Sequence, residues 1–179
     1  EMNNLRFVVS KFPVKKKIPF PLIAKDGFIF EYSNYIKFLL CQIFERINKY
    51  GGVFLIIDYA KSNNYGKSTL SFIHKHAHVQ PFYYPGKTDI STKPDFNLIK
   101  SLALQNDCKV VGPFSQKYFL TKLGIELRFE NLIKANPNLT SSLLASKKRL
   151  IDKNYMGEIF KIFIITNKNN KDLIFENYD

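Results

Sequence analysis

The sequence lacks two features of secreted and membrane-spanning proteins: a set of closely spaced cysteines and a long apolar run. It has no tryptophan and two cysteines, Cys41 and Cys108, which are far apart and have no CxxC spacing. Two isolated cysteines favour reduced thiols over a disulfide framework. No apolar run approaches the roughly 18–20 residues of a membrane-spanning helix. With 179 residues, 45% of them hydrophobic, we expect one soluble intracellular domain with a core of its own.

Acidic residues are also scarce, at 15 against 27 lysines and arginines, which gives a net charge of +12. The one dense basic cluster is Lys15-Lys16-Lys17, and the other lysines are scattered at helix-surface spacing. Arginine, which reads bases best, is rare. This pattern favours a solvated basic surface, and a basic nucleic-acid-binding domain stays as an alternative function.

The best-defined secondary structure lies between residues 35 and 58. Apolar residues at helical spacing predict an amphipathic helix over Tyr35–Asn48, ended by Gly51-Gly52. The run Val53–Ile57 then predicts a parallel strand buried on both faces, with Asp58 at its carboxyl end. In open α/β sheets, ligands bind at that end of the strands.

The remainder predicts a mixed α/β fold. A stretch without helical periodicity covers residues 59–92. Elsewhere we expect short strands over Leu5–Val9, Phe28–Phe30 and Lys109–Val111, and helices over 94–103, 115–121, 126–134 and 139–150. A further strand is expected over Ile159–Ile165, and Asp172–Phe175 could pair with it. A basic, proline-rich loop, Lys11–Pro21, follows the first strand. No internal repeat or domain boundary is evident, so we predict a single domain over 1–179.

Two motifs resemble known sites without meeting their requirements. Gly66-Lys67-Ser68 resembles the end of a phosphate-binding loop, but the earlier glycine that such a loop needs is replaced by Lys61. If His74, His76 and His78 lay on one strand, their side chains would point to the same face. Three imidazoles on one face could bind a divalent transition metal. No acidic ligand lies close to them in sequence, and we predict no metal site.

Three acidic residues of the middle region could carry chemistry. Asp58 ends the predicted buried strand, Asp89 follows a turn, and Asp95 suits the first turn of a helix. Each alone is typical of a structural role. Together, fixed carboxylates could orient and deprotonate a cationic acceptor such as a guanidinium.

A series of motifs in a fixed order resembles the C-terminal half of the MidA-like S-adenosylmethionine-dependent methyltransferases, a family that includes the mitochondrial arginine methyltransferase that assists complex I assembly. The matching positions run from Gly51 to Lys161, with a looser match over 1–50. They are Gly51-Gly52, Ile57-Asp58-Tyr59, Thr69-Leu70, His76, Pro81, Pro85-Gly86, Asp89-Ile90-Ser91, Asp95-Phe96, Gly112-Pro113, Gln116, Phe119-Leu120, Leu123-Gly124-Ile125, Arg149-Leu150, Met156-Gly157 and Phe160-Lys161.

The resemblance implies the C-terminal portion of a Rossmann-like class I methyltransferase fold, with a mostly parallel sheet and an antiparallel C-terminal strand. It implies transfer of a methyl group from S-adenosylmethionine to an arginine of a protein. By analogy with the family, that acceptor protein would be a subunit of respiratory complex I. The compartment would be the bacterial cytoplasm or the mitochondrial matrix. Two groups of residues would line the acceptor side: Asp58, Tyr59, Asp89 and Asp95 as catalytic residues, and His76 and Gln116 as substrate-binding residues.

The sequence departs from the family pattern in four places. Ala60 replaces the glycine after Asp-Tyr, and Lys67 and Ser68 interrupt the Gly-Asp-Thr-Leu motif. The pair before Asp-Phe is Lys93-Pro94, and no GxGxG-like segment is present to bind the cofactor. We therefore expect an incomplete fold that is inactive alone, with no cofactor-binding residues of its own. A separate polypeptide could supply the N-terminal half; the alternative is a non-catalytic remnant or partner-binding module.

Overall fold

The structure is a computed structural model that describes residues 5–12, 24–59, 66–170 and 175. In chain order its elements are α1 (Asn34–Tyr50), β1 (Val53–Tyr59), β2 (Ser71–His74), β3 (Ala77–His78), β4 (Asp89–Ser91), α2 (Phe96–Gln105), β5 (Cys108–Ser115), α3 (Gln116–Lys122), α4 (Ile125–Ala135), a 3-10 turn (Pro137–Leu139), α5 (Thr140–Ile151), α6 (Met156–Ile159) and β6 (Phe160–Asn167). The chain divides into two compact units. The first unit is Glu1–Ser33 with Lys61–Lys93, and the second is Asn34–Ala60 with Pro94–Asp179.

The sheet of the second unit corrects the predicted mostly parallel arrangement. Its strand order is β1-β6-β5, and β6 is antiparallel to both of its neighbours. Each strand pairing among the described residues is therefore antiparallel. An apolar run shows that a strand is buried but carries no information on its direction, and the partner of β1 comes from about a hundred residues further along the chain. The predicted antiparallel C-terminal strand is confirmed as β6. Of its predicted partner Asp172–Phe175, residues 172–174 lie outside the described residues, and Phe175 lies in a turn.

Two hydrophobic clusters cover the two faces of this sheet. Phe163 and Ile165 of β6 point into a cluster with α1 and α2, whose buried members include Phe44 and Ile99. Ile162 and Ile164 point the other way, into a cluster with Phe114, Phe119 and Phe175. This alternation follows from the two-residue period of a strand. The helices predicted over 35–48, 126–134 and 139–150 are confirmed as α1, α4 and α5.

The burial of β1 differs from the prediction of a strand covered on both faces. Phe54 and Ile56 pack against the cluster under α1, whereas Leu55 and Ile57 are 42% and 47% exposed. Both exposed residues lie opposite buried β6 residues, Ile164 and Ile162. The described elements therefore cover this face at β6 and leave it open at β1.

The first unit contains a small antiparallel sheet of order β3-β2-β4. A single bridge joins Ile29 to Gly66, where a short strand over Phe28–Phe30 was predicted. Residues 5–9, also predicted as a strand, form no strand in the described chain, and most of the basic loop, from residue 13 on, lies outside the described residues. The region 66–92, expected to lack helix, holds β2, β3 and β4.

Candidate functional site

The six residues proposed from sequence fall in both units of the chain. Asp58, Tyr59, Asp95 and Gln116 belong to the second unit, and His76 and Asp89 to the first.

Asp58 is the penultimate residue of β1, at the strand's carboxyl end, as predicted. It is half-buried, and its Oδ1 accepts a hydrogen bond from the Tyr59 backbone N–H at 2.7 Å. The residue opposite it on β6 is Lys161, whose ammonium lies 3.4 Å from Glu158. No ion pair to Asp58 is present among the described residues. The Asp58 carboxylate is thus positioned by the backbone while it keeps capacity to accept further hydrogen bonds.

Tyr59 ends the same strand and packs on its cross-strand partner. Its ring centroid lies 4.3 Å from that of Phe160, and the side chain stays 46% exposed. A tyrosine held on one side in this way presents an aromatic face and a hydroxyl to a ligand.

Asp95 and Gln116 have clear structural partners. The Asp95 carboxylate accepts hydrogen bonds from the N–H groups of Asn97 and Leu98, at 3.0 and 3.1 Å, and so caps the N-terminus of α2. Gln116 is 7% exposed, and its Nε2 donates to the Leu150 carbonyl at 2.8 Å, which joins α3 to α5. Their catalytic and substrate-binding roles stay predictions.

His76 and Asp89 are exposed residues of the small sheet. His76 lies in the turn between β2 and β3 and has a left-handed backbone, φ 64°. Asp89 is in β4, opposite Ile73. The turn separates the three histidines, because His74 ends β2 and His78 lies in β3. Among the described residues no group of three His, Cys, Asp or Glu side chains is placed to hold a metal ion.

Sequence reasoning missed the residues around a cavity of about 640 Å³ in the first unit. Lys67, His78 and Lys93 contribute to its wall. Lys67 was considered only as part of the phosphate-loop-like motif and as an interruption of the Gly-Asp-Thr-Leu motif, and Lys93 only as a departure from the family pattern. No sequence signal links them, since their proximity depends on the fold.

The described residues do not form the cradle that a nucleoside-containing cofactor needs in an α/β sheet. Such a cradle is a glycine-rich turn from the carboxyl end of a strand into a helix. Gly51 and Gly52 precede β1 rather than follow it, and Gly124 lies between two helices. Gly112 lies within β5. A Cβ added there would lie 2.5 Å from the Ile162 carbonyl oxygen, so the space beside this glycine is occupied by protein backbone and is not available to a ligand.

Comparison with known proteins identifies the family. Residues 2–114 match a family described as "Putative S-adenosyl-L-methionine-dependent methyltransferase". This chain belongs to that family. The MidA-like resemblance noted from the motifs is thereby confirmed.

The chain is similar to mitochondrial proteins named protein arginine methyltransferase NDUFAF7. It is 29% identical to the one from Danio rerio over 171 residues, which cover 92% of this chain and 39% of that protein. It is 31% identical to the Drosophila melanogaster homologue over 164 residues, 88% of this chain and 37% of that protein. The chain therefore spans about two fifths of the length of these relatives.

A crystal structure from Burkholderia thailandensis shares the fold. It superposes with a TM-score of 0.73 at 22% identity, over 84% of this chain and 40% of that one. That protein is described as a "likely methyl transferase" and is bound to S-adenosyl-homocysteine. No helix in the described part of this chain is long and apolar enough to cross a membrane.

Proposed function

We propose that this chain is the acceptor-side part of a protein arginine methyltransferase with a Rossmann-like class I fold. The cofactor-binding part would be a further polypeptide segment that pairs with β1. The observation that carries the proposal is the open edge and exposed apolar face of β1, in a chain that spans about two fifths of its arginine methyltransferase relatives.

The edge of β1 supports the docking of a further strand. β1 pairs with β6 along seven residue pairs, and no strand pairs with its other edge in the described part of the chain. Open strand edges are templates for pairing with another segment. Val53, Leu55, Ile57 and Tyr59 expose between 42% and 54% of their surface on one face of this strand. A segment that extends the sheet would pair with the edge, and elements packed beside it would cover these side chains.

Asp58 is the residue proposed to bind the acceptor. A carboxylate accepts two parallel N–H bonds from a planar guanidinium, which fixes the position of the nitrogen to be methylated. Holding that nitrogen in line with the methyl donor is the main catalytic contribution in this kind of reaction, and removal of its proton is the second. By resemblance to the family, the acceptor would be an arginine of a complex I subunit.

The test is complementation with the segment of the Danio rerio relative that this chain does not match. Calorimetry measures S-adenosyl-homocysteine binding, and transfer of labelled methyl groups to arginine-containing protein measures activity. We expect neither from the chain alone and both from the mixture. Micromolar cofactor binding by the chain alone would contradict the assignment of the cradle to another segment. Absence of association between the two pieces would contradict the docking proposal.

Variants separate docking from chemistry. Leu55→Asp places a charge on the exposed face of β1 and should abolish association. Leu127→Asp, at a residue of α4 that is 61% exposed, is the matched control and should leave association intact. Equal loss in both would mean that β1 is not the interface.

The three carboxylates are compared in the associated complex. Asp58→Asn should leave association unchanged and lower methyl transfer about 100-fold or more. Asp95→Asn tests charge alone, because asparagine caps a helix as well as aspartate does. Asp89→Asn completes the series. Full activity of Asp58→Asn would remove Asp58 from the proposed mechanism.

A further inference from the structure

We propose that the first unit carries a binding site for an organic anion with an apolar or aromatic part. The site is the cavity of about 640 Å³, whose lining residues all belong to that unit. This volume lies within the roughly 300–1,000 Å³ typical of small-molecule sites. The inference does not rest on the proposed methyl transfer.

The charge of the wall indicates an anion. Lys67, Lys93 and His78 line the cavity, and none of its lining residues is acidic. The described ion pairs use other lysines, namely Lys147, Lys161 and Lys168. Two ammonium groups without a described carboxylate partner can bind a carboxylate or a phosphate through charge-assisted hydrogen bonds. Ser71 Oγ lies 3.4 Å from His78 Nδ1, which adds a hydroxyl to the same wall.

Hydrogen bonds hold the two lysines on one wall although they are 26 positions apart in sequence. Thr69 Oγ1 accepts a bond from the Lys93 backbone N–H at 3.1 Å and lies 2.7 Å from Thr92 Oγ1. These contacts join the segment around Lys67 to the segment around Lys93.

Glu31 anchors the same wall from outside the cavity. Its carboxylate accepts bonds from the Thr69 N–H at 2.7 Å, the Thr69 hydroxyl at 2.6 Å and the Ser68 hydroxyl at 2.9 Å. Glu31 is not among the lining residues, so its bonds fix the wall without placing a carboxylate in the cavity lining.

Aromatic side chains supply an apolar wall. Phe72 is 7% exposed and lines the cavity with Phe7. Phe82 lies behind both, with its ring centroid 6.0 Å from that of Phe72 and 4.8 Å from that of Phe7. A ligand that fills the cavity would therefore place an apolar or aromatic group against these rings and an acidic group against the lysines.

The experiment titrates the full chain with four small probes: phenyl phosphate, inorganic phosphate, benzoate and benzylamine. Calorimetry and ¹⁵N shifts of Ser71 and Val79 are the readouts. We expect phenyl phosphate or benzoate to bind at millimolar affinity or better, inorganic phosphate about tenfold more weakly, and benzylamine not at all. Binding of benzylamine as tight as that of benzoate, or no shift with either organic anion, would overturn the proposal.

Matched double variants test the lysines. Lys67→Gln with Lys93→Gln should weaken organic anion binding about tenfold or more. Lys25→Gln with Lys75→Gln removes the same charge from the same unit outside the cavity lining and should leave the affinity unchanged. Equal weakening in both doubles would reduce the effect to the net charge of the chain. An unchanged circular dichroism spectrum shows that each double variant is folded.

Discussion

The second unit is built on strands of seven and eight residues that carry apolar side chains into a cluster on each face, whereas the strands of the first unit are two to four residues long. All but one of the buried hydrophobic side chains in the described chain belong to the second unit, and the exception is Phe72. Burial of apolar area is the main source of folding stability. The described contacts of the first unit rely more on hydrogen bonds and turns.

Among the residues that the structure describes, the first unit also holds most of the non-glycine residues with a left-handed backbone. Lys75, His76, Phe82 and Tyr84 have φ between 48° and 64°, and one such residue, Asp107, lies in the second unit. Such conformations cost free energy and persist where the surrounding structure fixes them, as at binding sites. The comparison indicates that the second unit provides stability, and that the first holds exposed side chains in defined positions with little apolar burial.

The role of the second unit in stability is tested by removing one of its core side chains. Phe163 is 1% exposed and packs edge-on against Phe96, with centroids 5.0 Å apart. Phe163→Ala should lower the free energy of unfolding by about 3–5 kcal/mol through lost burial and a residual cavity. Urea unfolding followed by circular dichroism measures it. Phe38→Ala, at a side chain that is 63% exposed, should change stability little. A similar loss in both would mean that the cluster is not the main source of stability.

A backbone test targets the irregular part of β5. Gly112 has φ 109°, and a Cβ there would meet the Ile162 carbonyl oxygen at 2.5 Å. Gly112→Ala should cost about 2–4 kcal/mol, from the left-handed backbone and from overpacking.

Gly124→Ala is the control for Gly112→Ala. Gly124 has φ 82° with no atom within 4 Å of the added Cβ, so only the backbone cost of about 1–2 kcal/mol applies. Equal melting temperatures for the two variants would show that β5 moves away from β6 to accept the methyl group.

A change in the first unit should act through hydrogen bonds instead. Glu31→Gln removes the charge from three bonds that join Glu31 to Ser68 and Thr69. Hydrogen bonds to charged groups contribute about 1.5–3 kcal/mol, so the amide of Thr69 should exchange with solvent faster by about tenfold or more.

Glu45→Gln, on an exposed position of α1, is the control and should leave exchange at Thr69 unchanged. If exchange in β6 rose as much as exchange at Thr69 in Glu31→Gln, the stabilising effect of Glu31 would not be local to the first unit.

Features that depend on neighbouring residues could be predicted from the sequence. Periodicity located α1, and the run of β-branched and aromatic residues located β6. Asp95 was expected at the start of a helix and is the cap of α2. The ordered motifs identified the family, because their spacing is specific to it.

Features that depend on contacts between residues far apart in sequence could not be predicted from the sequence. The direction of β1 is set by β6, which begins a hundred residues later. The histidine series was interpreted as one possible strand, since Lys75 and His76 carry no glycine signal for their left-handed turn. The cavity was missed because Thr69 brings Lys67 and Lys93 to one wall through contacts absent from any local pattern.

The two cysteines of the second unit should differ in reactivity. Cys108 is 1% exposed, and burial raises the pKa of its thiol above the ordinary value; the hydrogen bond to Asn48 opposes this, and the charge of Asp107 adds to it. Cys41 is half-buried. The thiolate is the reactive form, so iodoacetamide should modify Cys41 first in the folded chain, with both cysteines reacting alike in urea.

The raised pKa also fixes the sign of a pH effect. The unfolded thiol releases its proton near pH 8.5, while the folded thiol keeps it to higher pH. The contribution of Cys108 to stability is therefore fully present below about pH 8.5 and is lost as the pH rises towards the folded pKa. Comparing Cys108→Ala with the parent chain from neutral pH to about pH 9.5 isolates this loss from other titrations. Cys41→Ala is the control, and a steeper pH slope in Cys108→Ala than in the parent chain would contradict the assignment.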